Sequence, residues 1–364
     1  MTTGTPPLDI LVIQLGDIGD VVVATPTFRA FRETYPDARV SVLVRRGYGS
    51  LLRGDPHLHE VLEVAKSRSR LLEAFENFRL AVRLRRTRYD LVFDLRTGDR
   101  GAILAFLVRA PAKVSFGGDG ASWRRYVFTR LIRQDELTVA PSTVHPGADQ
   151  SLRLVARIGV GTADSRPKLY VPGETSGNVR RMLVDEGLPE DARFVTVNPF
   201  SRWKYKEWGY GKWVEVLDWI RDRYGLHALV VGAKEEAEEA MRIAGRCKPE
   251  ARSVAGKTTL GELAALLSRS ALHLGVDSAA PHIANAVGTP TVTIFGPSDW
   301  RAWTIPDATH RMVCPDDPCV PCHKKGCDHS GVSLCLDNMG ADKVIREVEA
   351  ALTASGAEAV RGRR

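Results

Sequence analysis

The chain has 364 residues, 44% of them hydrophobic and 26% charged, with a net charge of +7 at neutral pH. That length suits two domains, each large enough to bury a core, and the balance is ordinary for a globular protein. No apolar run approaches the roughly 20 residues that span a bilayer. Residues 1–9 lack the basic and apolar segments of a signal peptide, so the expected location is cytoplasmic.

In chain order, residues 10–14 read as a buried strand, followed by a glycine-rich loop and a helix that runs through Phe31. Residues 39–44 form a second strand, 91–95 a third after a basic helix, and 113–116 a fourth. The series then restarts, with strands at 194–198, 228–232, 272–276 and 291–295. Helices are expected at 212–224, 235–246, 260–267 and 279–287. Alternation of this kind predicts parallel sheets covered by helices, an α/β fold of two doubly wound domains facing across a cleft. The glycines and prolines between Ile158 and Asp191 mark the junction. The expected division is an N-terminal domain at 1–172, a linker at 173–190, a C-terminal domain at 191–340, and a last helix with a basic tail at 341–364. In doubly wound sheets ligands sit beyond the carboxyl ends of the strands, so the loops after Gln14, Asn198, Gly232 and Val276 are where chemistry is sought.

Charge is uneven. Residues 1–150 hold 22 lysines and arginines against 17 acids. The densest run is Lys66, Arg68, Arg70, Arg79, Arg83, Arg85, Arg86 and Arg88. It can face anionic lipid or a phosphorylated substrate, or be a solvated helix face. Nucleic acid is not the expected partner, because the run lacks the regular aromatic–basic alternation that stacks bases.

The first loop reads Leu15-Gly16-Asp17-Ile18-Gly19-Asp20. Its glycine spacing is not that of a dinucleotide loop, and two carboxylates would repel a pyrophosphate. Asp20 can serve as a general base or can cap the following helix; Asp17 is expected to face solvent.

In the C-terminal half, Asp277-Ser278-Ala279-Ala280-Pro281-His282 opens a helix whose free N–H groups suit a diphosphate. Ser278 adds a hydroxyl, Asp277 can accept from sugar hydroxyls, and His282 lies one turn in, as a site group or a packed histidine. The loop Ser201-Arg202-Trp203-Lys204-Tyr205-Lys206 is basic and aromatic, and a lysine there can neutralise a leaving diphosphate. An acid following Gly232 can hold ribose hydroxyls. Five of the six cysteines lie between Cys314 and Cys335. Cys319, Cys322, Cys327 and Cys335 do not match a standard two-knuckle zinc spacing, so ordinary thiols are favoured over structural zinc.

These segments resemble the bacterial lipopolysaccharide heptosyltransferases of glycosyltransferase family 9. The resemblance runs nearly end to end: Gly19-Asp20, Ser201 with Lys206-x-Trp208, Gly256-Lys257-Thr258, Asp277-Ser278-x-x-x-His282, Gly288-Thr289-Pro290, Phe295-Gly296-Pro297-Ser298 and Cys319-Val-Pro-Cys322. It implies a GT-B architecture, with an acceptor-binding first domain and a nucleotide-sugar-binding second domain. It further implies inverting, metal-independent transfer of heptose from an ADP-heptose donor to the inner core on lipid A, at the cytoplasmic face of the inner membrane. It implies Asp20 as base and Lys206 as a donor contact, which with the basic-loop reading makes Lys206 the expected catalytic cation. Donor contacts carry over to Ser201, Glu236, Thr258, Asp277, Ser278, Ala279, Ala280 and His282, with Ala279-Ala280 standing where relatives often have Gly-Leu. No cofactor beyond the donor substrate is implied. The alternatives are another nucleotide sugar or acceptor on the same fold, a nicotinamide dehydrogenase, or a non-catalytic sugar-nucleotide-binding protein.

Overall fold

The computed structural model describes residues 9–66, 69–117, 123–133, 136–137, 145–248, 251–304, 306–356 and 359. Arg68 and the tail Arg361, Gly362, Arg363 and Arg364 lie outside the described residues. The chain divides into two compact units, Met1–Tyr170 and Val171–Arg364.

In the first unit the strands are β1 (Asp9–Ile13), β2 (Arg39–Arg45), β3 (Glu60–Val64), β4 (Leu91–Asp94), β5 (Ala112–Phe116) and β6 (Arg130–Ile132). They form one sheet in the spatial order β3-β2-β1-β4-β5-β6. All pairings are parallel, with Val12 opposite Val42 on one side and Phe93 on the other. The second unit repeats the plan with β7 (Phe194–Asn198), β8 (His227–Val230), β9 (Ala251–Ser253), β10 (His273–Val276), β11 (Thr291–Ile294) and β12 (His310–Val313). Their order is β12-β11-β10-β7-β8-β9, which is the same pattern counted from the other edge.

The eight inner strands are the ones the apolar runs predict. The four absent from the sequence expectation, β3, β6, β9 and β12, are the sheet edges. Each has solvent along one side and is at most half-buried along most of its length. Their residues therefore need not form the continuous apolar run that marks a strand buried on both faces.

The helix expected through Phe31 is two helices, Ile18–Val23 and Thr25–Thr34. Pro26 has no N–H to donate to the Val22 carbonyl, so the ladder breaks there. The Thr25 hydroxyl donates to that carbonyl instead, at 2.8 Å.

The expected linker at 173–190 is a correction. Residues Gly173–Asp185 form a helix, and its Val179 and Leu183 are buried in a core shared with Phe194, Leu229 and Val231. Of the glycines that suggested a linker, Gly173 is the first residue of this helix, while Gly159 and Gly161 precede it. The i,i+4 pair Val179–Leu183 makes one apolar stripe, and burying that stripe fixes the segment to the second unit. The last helix, Ala341–Ala354, is likewise part of that unit. Its Val344, Val348, Ala351 and Leu352 are fully buried against Ile220, Val292 and Ile294. Trp208 and Trp213 meet edge to face at 5.0 Å beneath the same core, and the Trp208 indole donates to the Met339 carbonyl at 3.1 Å.

Leu183→Ala separates helix from linker. A packed leucine lost from this core costs about 2–5 kcal/mol, whereas a solvated linker residue changes stability by less than about 0.5 kcal/mol. Urea unfolding of the two proteins reads the difference.

Candidate functional site

Each sheet starts at a central strand and builds outward in both directions. The loops after β1 and β4, and after β7 and β10, therefore part to opposite faces. Such switch points are where doubly wound sheets bind ligands. Ser201, Lys206, Asp277 and Ser278 sit on these loops, and Asp20, Ala279, Ala280 and His282 lie in the helices that the loops after β1 and β10 enter.

In the first unit, the loop after β1 enters helix Ile18–Val23 with Asp17 as N-cap. Asp20 stands three residues in, and its Oδ2 accepts from the Asp17 N–H at 2.8 Å. Its other oxygen, Oδ1, lies 3.1 Å from Nη1 of Arg96, on the loop after β4. Asp20 thus caps its helix and presents a paired carboxylate at the switch point, so both roles weighed for it are structurally available. Asp17 is not merely a solvent-facing residue: its Oδ1 accepts from Arg45 Nη1 at 3.0 Å, while Arg45 Nε donates to the Leu15 carbonyl. Gly16 is required by the close approach of the Asp20 side chain. A Cβ at Gly16 would stand 2.6 Å from Asp20 Cβ.

Arg96 was not anticipated, nor was the network that holds it. Asp94, at the end of β4, is fully buried, and burial pushes its carboxyl up to about 7, against the pull of Arg124 and Arg96. Its Oδ2 pairs with the buried guanidinium of Arg124 at 3.4 Å, and its Oδ1 accepts from the Arg96 N–H at 3.2 Å. Arg124 also donates to the carbonyls of Arg96, Thr97 and Gly98 and to the Ser115 hydroxyl. The backbone of Arg96 is therefore held at both its N–H and its C=O. The apolar-run reading places Asp94 inside a strand and offers no signal that its carboxylate organises the next loop.

In the second unit, Lys206 Nζ lies 2.6 Å from Asp277 Oδ2, linking the loops after β7 and β10. Ser201 is buried, and its hydroxyl donates to the Asp277 carbonyl at 3.5 Å while accepting from the Trp203 N–H at 3.3 Å. Glu207 shapes the lysine loop, accepting from the Ser201 N–H, from Lys204 Nζ and from the Tyr210 hydroxyl. Burial, reinforced by the Glu207 charge, raises the Tyr210 phenol and keeps it a donor. Glu207 and Tyr210 are further residues the sequence reading missed. A carboxylate embedded in a basic loop was the available signal.

Ser278 is the N-cap of helix Ala279–Ala286, with Ala279 and Ala280 in the first turn. Its Oγ is buried and makes no hydrogen bond among the described residues. His282, one turn in and half-buried, lies against Trp303 with ring centroids 6.0 Å apart. Glu236 follows β8, and its Oε2 accepts from the Ala233 N–H at 2.7 Å. The Gly256 N–H donates to the Gly232 carbonyl at 2.9 Å, which sets the half-buried Thr258 on the loop beside that of Glu236. Gly232 in turn abuts Phe200, so the loops after β7, β8 and β9 form one rim with the start of helix Ala279–Ala286.

All six cysteines are free thiols. Burial pushes the Cys335 thiol up to about 11 and raises that of Cys314. Among the described residues, no three or more His, Cys, Asp or Glu side chains are arranged to hold a metal ion.

The sequence profile of glycosyltransferase family 9 (heptosyltransferase) matches residues 77–332. Lipopolysaccharide heptosyltransferase 3 of Escherichia coli is 29% identical over 296 residues, covering 79% of this chain and 84% of the relative. A family 9 glycosyltransferase from Veillonella parvula superposes with a TM-score of 0.79 at 20% identity, covering 95% of this chain and 97% of that one. The ADP-heptose lipopolysaccharide heptosyltransferase II of E. coli superposes with a TM-score of 0.72 at 19% identity, covering 96% of this chain and all of its own. The two structural likenesses show the fold.

Gly16→Ala tests the loop geometry at the first switch point. The added methyl must displace the Asp20 side chain, and a misplacement on the order of 1 Å costs about 100-fold in turnover. The expected protein keeps its far-ultraviolet circular dichroism while glycosyl transfer falls by that factor; full activity would show that the position of Asp20 is immaterial.

Proposed function

Because the chain belongs to glycosyltransferase family 9, we propose that it transfers L-glycero-D-manno-heptose from ADP-heptose to the inner core of lipopolysaccharide, with inversion and without a metal. The observation that carries this reading is the second switch point. There Lys206 and Asp277 pair beside a helix N-terminus whose buried Ser278 hydroxyl has no partner among the described residues. Free backbone N–H groups, a hydroxyl and an ammonium form a diphosphate cradle. Asp277, already bonded to Lys206, fixes where that ammonium stands before a donor arrives.

In the proposed reaction Asp20 accepts the proton of an acceptor hydroxyl as that oxygen bonds to the anomeric carbon. The bond from that carbon to the diphosphate oxygen breaks on the opposite face, and ADP leaves with the electron pair, so the configuration inverts. Lys206 and the start of helix Ala279–Ala286 stabilise the charge that develops on the leaving diphosphate. This supplies the electrostatic work that some glycosyltransferases assign to a metal, and the sequence has no Asp-x-Asp motif to hold one. Arg96 holds the Asp20 carboxylate in place through the contact to its Oδ1. Glu236, Thr258 and His282 contact the donor from the same rim, with Ala279 and Ala280 offering backbone N–H groups. The first unit takes the acceptor. Among the described residues no helix is long and apolar enough to cross a membrane, and the enzyme meets its lipid-linked acceptor at the cytoplasmic face of the inner membrane.

The first test is transfer from ADP-heptose to a panel of truncated lipid A–core acceptors, read by mass spectrometry. A gain of one heptose on one acceptor is expected; transfer only from other nucleotide sugars would move the reading to another donor. Asp20→Asn should lower kcat by about 10²–10⁴-fold with ADP affinity unchanged, and normal turnover would remove Asp20 from the mechanism. Lys206→Ala should lower kcat by about 10²–10³-fold and also weaken ADP binding. Unchanged kinetics would place the charge stabilisation elsewhere.

A further inference from the structure

The first unit carries large apolar side chains where a water-facing helix should have polar ones. On helix Arg70–Arg86 only Leu84 is buried, while Leu71, Phe75 and Phe78 are 84%, 57% and 66% exposed. Their spacing, i, i+4, i+7, puts them on one stripe. On helix Asp99–Leu107, Ile103 and Phe106 are 53% and 60% exposed at i, i+3.

The two stripes share one surface. Both helices are crossovers that carry the chain in the same direction along the sheet, β3 to β4 and β4 to β5. Right-handed crossovers in one direction lie on one face. The two helices touch, and Leu80, Leu84, Leu104 and Ala105 turn into one shared core, which leaves the exposed stripes pointing outward together. Trp123 sits at the start of the second helix, its indole donating to Asp99 Oδ1 at 3.2 Å.

Arginines border this surface. Helix Arg70–Arg86 has five arginines and two acids, and one acid, Glu76, is already paired with Arg46. The Arg79 guanidinium lies 5.9 Å from the Phe75 ring centroid, so its charge sits beside an apolar group. Leucine and phenylalanine bordered by arginine is the composition of an interfacial helix that sinks its apolar side chains among lipid headgroups. A second copy of the chain fits less well. A twofold interface would bring the same arginine border against itself, whereas anionic lipid neutralises it.

We propose that the outward face of helices Arg70–Arg86 and Asp99–Leu107 docks on the surface of an anionic phospholipid bilayer. The surface stands independently of the donor; its use in catalysis rests on the lipid-linked acceptor proposed above.

The test is flotation of the full chain with vesicles of phosphatidylethanolamine and phosphatidylglycerol, compared with vesicles of phosphatidylcholine alone. The wild type should float with the anionic vesicles, less so as salt rises. Phe75→Ser and Phe78→Ser should each weaken binding about tenfold. Both side chains are exposed, so the variants should keep the wild-type melting temperature and the wild-type rate on a deacylated, water-soluble acceptor. The proposal is overturned if the wild type ignores anionic vesicles, if the double variant floats as well as the wild type, or if the wild type sediments as a dimer that the substitutions dissolve. Vesicle binding without transfer to any heptose acceptor would sink the heptosyl reading and keep the docking surface. Transfer to the soluble acceptor without vesicle binding would do the reverse.

Discussion

Right-handed crossover between parallel strands is the constraint on which the rest depends. Each unit begins its sheet at a central strand, β1 or β7, and adds strands first to one side and then to the other. Handedness then sends the two sets of helices to opposite faces, and the loops at the centre must part. Asp20 and Arg96 meet at one such opening, and Lys206 and Asp277 at the other. Neither pair is close in sequence. Each meets because adjacent parallel strands, β1 with β4 and β7 with β10, bring their carboxyl ends side by side.

The two openings have complementary electrostatics. In the first, the Asp20 carboxylate is paired with the Arg96 guanidinium; in the second, the Lys206 ammonium is paired with the Asp277 carboxylate. The first arrangement has a deeper foundation. Asp94 and Arg124 are both buried, and breaking such a pair by deleting one partner costs about 3–5 kcal/mol because the other charge is stranded. Through their bonds to the backbone at Arg96, Thr97 and Gly98, the two hold the loop after β4 where Arg96 leaves it. The second opening is held by smaller links: the Glu207 carboxylate gathers the Ser201 N–H, the Lys204 ammonium and the Tyr210 hydroxyl, and so positions the turn that carries Lys206.

Helix Arg70–Arg86 is the exception to this economy. A crossover helix ordinarily buries a broad apolar stripe against its sheet, yet this one buries Leu84 alone and turns phenylalanines outward. Its Arg83 pairs with Glu60 on the edge strand β3. Its exposed apolar residues Leu71, Phe75 and Phe78 share the helix with five arginines.

The sequence by itself determined the inner strands, the two-unit α/β plan and the loops that carry Asp20, Lys206 and Asp277, because a strand buried on both faces must be apolar throughout and chemistry collects at the strand ends. It also carried the family, through motifs such as Asp277-Ser278-x-x-x-His282. Tertiary structure alone decided the edge strands β3, β6, β9 and β12, whose half-solvated faces allow mixed composition. It turned the supposed linker into helix Gly173–Asp185, since Val179 and Leu183 become a stripe only when a core receives them. It also decided which partner each site residue holds. Asp20 and Arg96 are 76 positions apart and Lys206 and Asp277 are 71 apart, and nothing local in a sequence records a contact that only sheet order creates.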